Sequence, residues 1–276
     1  MSTSLDTSEF SLESGGTTLR GELSGEGAPV VLLHGLTATR RYVVMGSRQL
    51  PKRGHAAISY DARGHGESDP APQRSGYEYA DLVADLAAVL EHHGLERTAI
   101  AGASMGAHTG MAFALAHPER VSALIQITPA YDASGRETEF EAWDALADGL
   151  EHGGVDGFMA AWRPQVDPRW LEVATLVTRQ RLERHRHPEA VADALRVVPR
   201  SRPFESLEQL ESLDVPVLIV GSRDESDPGH PLAVAEEYSR RLPRAQLLVE
   251  DEGRSPLAWQ GAQLSTAIAD FADRYS

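Results

Sequence analysis

The residues with the clearest chemical content are Gly102-Ala-Ser-Met-Gly106, a G-x-S-x-G pattern. It closes an apolar run at 98–101 and opens a helical stretch reaching about His117. In a strand–turn–helix setting this pattern lifts a serine hydroxyl off the end of a sheet, and the glycines leave room for crowded backbone. Ser104 is the candidate nucleophile; the plainer alternative is a serine that caps its own helix. A second piece is His34-Gly35-Leu36, directly after the apolar run 30–33. Backbone N–H groups of Leu36 and Met105 aimed at one point would form an oxyanion hole. The imidazole of His34 is expected to shape that loop. The segment Asp61-Ala-Arg-Gly-His-Gly-Glu-Ser68 reads as structural, with Asp61 paired to Arg63 and His65 as loop scaffolding.

A hydroxyl held this way needs a sheet beneath it. Continuous apolar runs at 29–33, 56–60, 98–101, 121–127, 215–220 and 246–249 suit strands buried on both faces. Two alternating stretches at 9–13 and 17–23, joined by Gly15-Gly16, read as a hairpin. Helical patterns fall between most runs. Leu82, Leu86, Val89 and Leu90 form one apolar face ending near Gly94, and Leu264, Ile268 and Phe271 form another. The alternation predicts an α/β fold with a doubly wound, mostly parallel, eight-stranded sheet. Between Tyr131 and Asp214 only helical stretches occur, at 140–150, 171–184 and 190–197, with Trp143, Trp162 and Trp170. That segment, about 133–213, reads as a helical lid within a single domain, 1–276.

Composition narrows the chemistry. With no cysteine, the 276-residue chain has no thiol nucleophile, disulfide or thiolate metal site. A net charge of −15, from 26 basic and 41 acidic residues, argues against nucleic acid or an anionic membrane as partner. No apolar run approaches the roughly 20 residues of a membrane span, and the polar, acidic start is unlike a signal peptide. A soluble cytoplasmic protein is expected. No ligand-spaced His/Asp cluster and no dinucleotide glycine fingerprint is found, so no metal or organic cofactor is expected.

Taken in order, these pieces resemble the α/β-hydrolase superfamily, specifically its lidded branch of small esterases, cofactor-free peroxidases and C–C bond hydrolases. The resemblance covers nearly the whole chain. It includes Asp81-Leu82 on the second helix and His117-Pro-Glu-Arg-Val121 after the nucleophile helix. It implies the chain order Ser, acid, His. By position the acid is Asp224, in Gly221-Ser-Arg-Asp-Glu-Ser-Asp-Pro228, with Asp227 as second choice. The base should follow the last strand in a Gly-His step, but the chain reads Glu250-Asp-Glu-Gly-Arg-Ser-Pro-Leu257.

Arg254 therefore stands where the superfamily has its catalytic histidine. A guanidinium has no acceptor lone pair and a pKa above about 12, so it cannot take the serine proton. It could pair with Asp224 or bind an anionic group of a ligand. Four explanations stay open. Another histidine supplies the base, His230 first; His108 reads as core and His55 as lying at the opposite rim. The cleft binds a ligand without turnover, like receptors of the superfamily that lost this histidine. The chemistry uses no Ser–His pair, with Glu250, Asp251 and Glu252 the nearest carboxylates. Or Arg254 is an introduced substitution.

The resemblance implies a serine hydrolase acting on a small ester, lactone or related acyl compound. A non-catalytic ligand-binding protein, or a lyase or peroxidase activity, is the alternative. The lid tryptophans and tyrosines suggest an apolar or aromatic small-molecule partner.

Overall fold

The computed structural model describes residues 6–133 and 140–275. Its strands are β1 (Thr7–Ser14), β2 (Thr17–Ser24), β3 (Ala28–Leu33), β4 (His55–Asp61), β5 (Thr98–Ala103), β6 (Val121–Ile127), β7 (Val217–Gly221) and β8 (Ala245–Val249). They form one sheet in the order β1-β2-β4-β3-β5-β6-β7-β8. β1–β2 and β2–β4 are antiparallel, and the remaining pairings are parallel. The first hairpin turns on Gly15 and Gly16, both at positive φ (54° and 80°), as a two-residue turn between twisted strands requires. The expected doubly wound, mostly parallel sheet is what the chain forms.

The helices are α1 (Gln49–Lys52), α2 (Tyr79–His92), α3 (Met105–Ala116), α4 (Phe140–Ala161, kinked at Gly154), α5 (Pro168–Leu182), α6 (Pro188–Val197), α7 (Leu232–Arg241) and α8 (Gly261–Ala272). Successive strand residues point to opposite faces, so each apolar run feeds two cores. Val31, Leu33, Ile58, Ile100, Leu124 and Ile219 pack on one face against Leu86, Phe113 and Tyr238 of α2, α3 and α7. Val30, Leu32, Ala101, Ile125 and Val220 pack on the other against Leu264, Ile268 and Phe271 of α8.

Between β6 and β7 the described residues form α4, α5 and α6 and no strand. This segment has a core of its own from Ala147, Leu150, Phe158, Leu182, Val191 and Leu195. Residues 134–139, at the start of the expected lid, lie outside the described residues. α6 and Val198 after it join the segment to the helices flanking the sheet: Ala190, Ala194 and Val198 pack with Met105 of α3, with Tyr79 and Leu82 of α2 and with Tyr77 before it.

The loop after β4 differs from the expected pairing. Asp61 accepts the backbone N–H of Arg40 (2.7 Å) and of Glu67 (3.0 Å), and its carboxylate pairs with the Arg40 guanidinium. Arg63 instead makes two 2.7 Å bonds to the buried Asp85 of α2. Each buried carboxylate thus has its own arginine, and the loop is pinned on two sides. Pairing here depends on which helix the loop meets, which local spacing does not reveal.

Candidate active site

The chain passes from β5 to α3 through Ser104, at φ 51° and ψ −114°. A non-glycine residue held there stores roughly 1–3 kcal/mol of backbone strain. Neighbouring backbone holds it in place: Ser104 N–H donates to Ile127 O (3.0 Å), and Ser104 O accepts from His108 N–H (3.0 Å). The glycines are there because nothing larger fits. A Cβ on Gly102 would lie 2.1 Å from Gly106 O, and one on Gly106 2.3 Å from Leu33 O. The Ser104 side chain does not cap its helix. It faces a cleft of about 1960 Å³ shared with Leu36, Met105, Asp227, His230 and Arg181.

Met105 is the first residue of α3, so its N–H has no intrahelical acceptor. Gly35 lies against the bend, where an added Cβ would sit 3.3 Å from Ala103 O and from Ser104 Cβ. Leu36, next in the chain, is thereby brought beside the serine on the cleft wall. His34 is occupied with its own loop: Nδ1 lies 2.8 Å from Gly35 O, and Nε2 accepts from Ala62 N–H (2.9 Å). Burial pushes its pKa down to about 4, so the ring is neutral.

His108 is no free base either. Its Nε2 accepts from Ala130 N–H (2.9 Å) and Tyr131 N–H (3.0 Å), and Nδ1 faces Tyr79 OH at 2.9 Å. Burial pushes its pKa down to about 3. His55 begins β4, at the far rim of the sheet, 3.1 Å from Asp273.

The acid loop separates its two carboxylates. Asp224 is exposed, and its Oδ1 accepts Leu232 N–H (2.8 Å) at the start of α7, completing the helix terminus. Asp227 lies on the cleft, and its Oδ1 is 2.8 Å from His230 Nδ1, three residues on. A tight turn sets this pair, since His230 N–H donates to Asp227 O (3.0 Å). Burial acts to lower the His230 pKa, but the charge and hydrogen bond of Asp227 outweigh it and hold the ring above its ordinary value, with Arg181 opposing. With Nδ1 turned to Asp227, Nε2 is the lone-pair nitrogen.

Arg254 lies exposed on the turn after β8, where its N–H donates to Asp251 O (3.0 Å), and it is not among the cleft-lining residues. Among the described residues it makes no ion pair, with Asp224 or any other carboxylate. Glu250 ties the two loops: its Oε1 accepts Arg223 N–H (2.7 Å) and its backbone oxygen accepts Arg223 Nε (3.1 Å). Asp251 and Glu252 are exposed.

Two features escape a sequence reading. Arg181, on the last turn of α5, places its guanidinium on the cleft wall. Asp148, Glu151 and His152 bring three potential ligand atoms within 4.8 Å of one another, although Arg196 already binds both carboxylates, at 2.7 and 2.6 Å. Among the described residues no helix is long and apolar enough to cross a membrane.

Comparison with known proteins agrees with this fold. The family profile described as the alpha/beta hydrolase fold matches residues 28–261. A 2-hydroxy-6-oxononadienedioate/2-hydroxy-6-oxononatrienedioate hydrolase of Pseudomonas putida is 31% identical over 261 residues, covering 90% of this chain and 88% of that protein. A putative 2-succinyl-6-hydroxy-2,4-cyclohexadiene-1-carboxylate synthase of Bacillus subtilis (strain 168) is 29% identical over 250 residues, 88% and 89% of the two chains. Among solved structures, the enol-lactonase from Burkholderia xenovorans LB400 superposes with a TM-score of 0.79 at 21% identity, covering 95% of this chain and 99% of that one. The relatives include hydrolases of several substrate types, and on the strength of the matched family profile this chain belongs to the α/β-hydrolase family.

Proposed function

We propose that the chain is a serine hydrolase of a small ester, lactone or related acyl compound, with Ser104 as nucleophile, His230 as base and Asp227 as the acid that orients it. The observation that carries this reading is the 2.8 Å Asp227–His230 pair on the cleft that also holds Ser104. Ser104 Oγ attacks the acyl carbon while His230 Nε2 takes its proton. The N–H groups of Met105 and Leu36 receive the developing oxyanion. The tetrahedral intermediate collapses, the imidazolium protonates the leaving oxygen, and water attacks the acyl-enzyme by the same route in reverse. The helices between β6 and β7 act as the lid, and their tryptophans favour an apolar acyl or alcohol portion. The 31% identical relative named as a 2-hydroxy-6-oxononadienedioate/2-hydroxy-6-oxononatrienedioate hydrolase supports hydrolysis as the class of reaction. We further propose that it works as a cytoplasmic enzyme.

A second reading, ligand binding without turnover, draws on the exposed Arg254 in the position of the superfamily's histidine. Fluorophosphonate labelling followed by intact mass separates the two. The hydrolase reading expects one adduct within minutes, absent from Ser104→Ala and strongly slowed in His230→Gln. A wild-type protein that stays unlabelled under those conditions overturns it.

A further inference from the structure

Arg181 lines the cleft, and the proposed chemistry leaves it unused. Its Nε is buried without a hydrogen-bond partner, and among the described residues the guanidinium forms no ion pair. Elsewhere two inward-facing arginines are paired, Arg40 with Asp61 and Arg63 with Asp85, whereas Arg20 on β2, away from the cleft, also keeps a buried, unpartnered Nε. A buried cation without a partner is costly to keep. Asp227 is near enough to act on Arg181 through its charge, yet that carboxylate is bonded to His230. The other groups facing Arg181 are Tyr42 and the rings of His185 and His230, none of them an anion. His230 in turn is faced by Asp227 from its own loop, by Arg181 from α5 and by the neutral His108 from α3.

We infer that Arg181 binds a carboxylate carried by the substrate, and that filling this site strengthens His230 as the base. The inference rests on the reading of His230 as general base. A guanidinium presents a planar fork of N–H donors that suits a carboxylate, and its buried setting strengthens the contact. While the fork is empty, its positive charge opposes protonation of His230. A bound carboxylate cancels that charge, and the imidazolium that forms as Ser104 loses its proton becomes easier to form. Trp162, Trp170 and Trp259 line the same cleft, so the guest is an apolar acyl compound with one acidic end. Selection and catalysis are coupled: a neutral ester leaves the arginine unsatisfied and the base weaker.

The test compares mono-4-nitrophenyl succinate with the uncharged 4-nitrophenyl pentanoate in wild type, Arg181→Met, Arg181→Lys and His230→Gln, with folding checked by circular dichroism. Wild type is expected to favour the charged ester by about 10-fold or more in kcat/KM. Arg181→Met should lose that preference through KM for the charged ester, and Arg181→Lys should keep part of it. A readout independent of turnover is the His230 titration, followed by imidazole NMR with and without succinate, whose binding is measured by calorimetry. Succinate is expected to raise the wild-type His230 pKa by about one pH unit. In Arg181→Met the pKa starts higher than in wild type and does not respond. An unchanged ester preference in Arg181→Met, no binding of succinate, or a His230 titration that bound succinate does not move each overturns the inference. If His230→Gln abolishes hydrolysis of both esters in that case, the base assignment survives alone. Undiminished hydrolysis in His230→Gln removes the base assignment, whatever Arg181 does.

Discussion

Asp227→Asn and Asp224→Asn are the same chemical change made three residues apart, and the structure expects opposite results. Asp227 holds the imidazole at 2.8 Å, with side-chain exposures of 26% for His230 and 18% for Asp227. For charges centred about 4 Å apart, an effective dielectric near 20 gives about 4 kcal/mol. Solvent reaching both groups brings this to about 2–4 kcal/mol, a loss of about 30- to 1000-fold in kcat. The asparagine can also hold the wrong tautomer, which brings the loss toward the roughly 10⁴-fold seen for this change in a serine-protease triad. Asp224 only accepts Leu232 N–H at the start of α7. An asparagine oxygen accepts the same bond, so kcat should stay within about two-fold, with stability changed by well under about 1 kcal/mol. The assay is kcat for 4-nitrophenyl ester hydrolysis against pH. Wild-type rates rise as His230 loses its proton, and because Asp227 raises that pKa, Asp227→Asn should move the acid limb to lower pH as well as lowering the plateau. A 1000-fold loss in Asp224→Asn with Asp227→Asn unaffected would refute the reasoning.

Three further outcomes follow from the geometry. Gly106→Ala would force a Cβ to 2.3 Å from Leu33 O; about 3 kcal/mol of destabilisation is expected, read as a Tm lower by about 6–10 °C. His34, His65, His108 and His185 are held neutral by burial, with pKa values of about 4, 3, 3 and 3. The unfolded chain therefore binds more protons below about pH 6.5, and each ring removes up to about 1.4 kcal/mol per pH unit as pH falls toward its folded value. Tryptophan fluorescence should report unfolding near pH 5, and His185→Gln should shift that midpoint; a protein still folded at pH 4 would contradict the argument. Arg254→Ala removes an exposed side chain outside the cleft wall, so ester kcat/KM should stay within about two-fold.

The sheet was legible because strands buried on both faces leave continuous apolar runs, and the bend at Ser104 because only glycine tolerates the approach of Gly106 O and Leu33 O. Ionic partners were less legible. Asp61 and Arg63 sit two residues apart, yet each binds a residue from another element, Arg40 and Asp85. On the proposed reading the choice of acid shows the same limit. Asp224 comes first after β7, but what decides its contacts is where α7 begins, and its carboxylate turns to that helix terminus. Arg181 lies on a helix rich in polar residues, where its spacing does not mark it as inward-facing; the packing of the folded chain buries its Nε.

On the proposed reading acid and base share one loop, which changes what the fold must hold fixed. When the histidine follows β8 and the acid follows β7, their contact depends on two loops meeting. Here Asp227 and His230 are joined twice within a single turn, by the backbone bond from His230 N–H to Asp227 O (3.0 Å) and by the 2.8 Å side-chain contact. Local chain geometry then orients the imidazole. The β8 exit loop is left with a supporting task, which it performs through Glu250, whose side chain and backbone oxygen both engage Arg223 one residue ahead of Asp224. On the proposed reading, that division is why a residue unable to accept a proton can occupy position 254. The proton-accepting task rests three residues beyond Asp227, on a side chain whose Nδ1 is already committed and whose Nε2 is free to receive it.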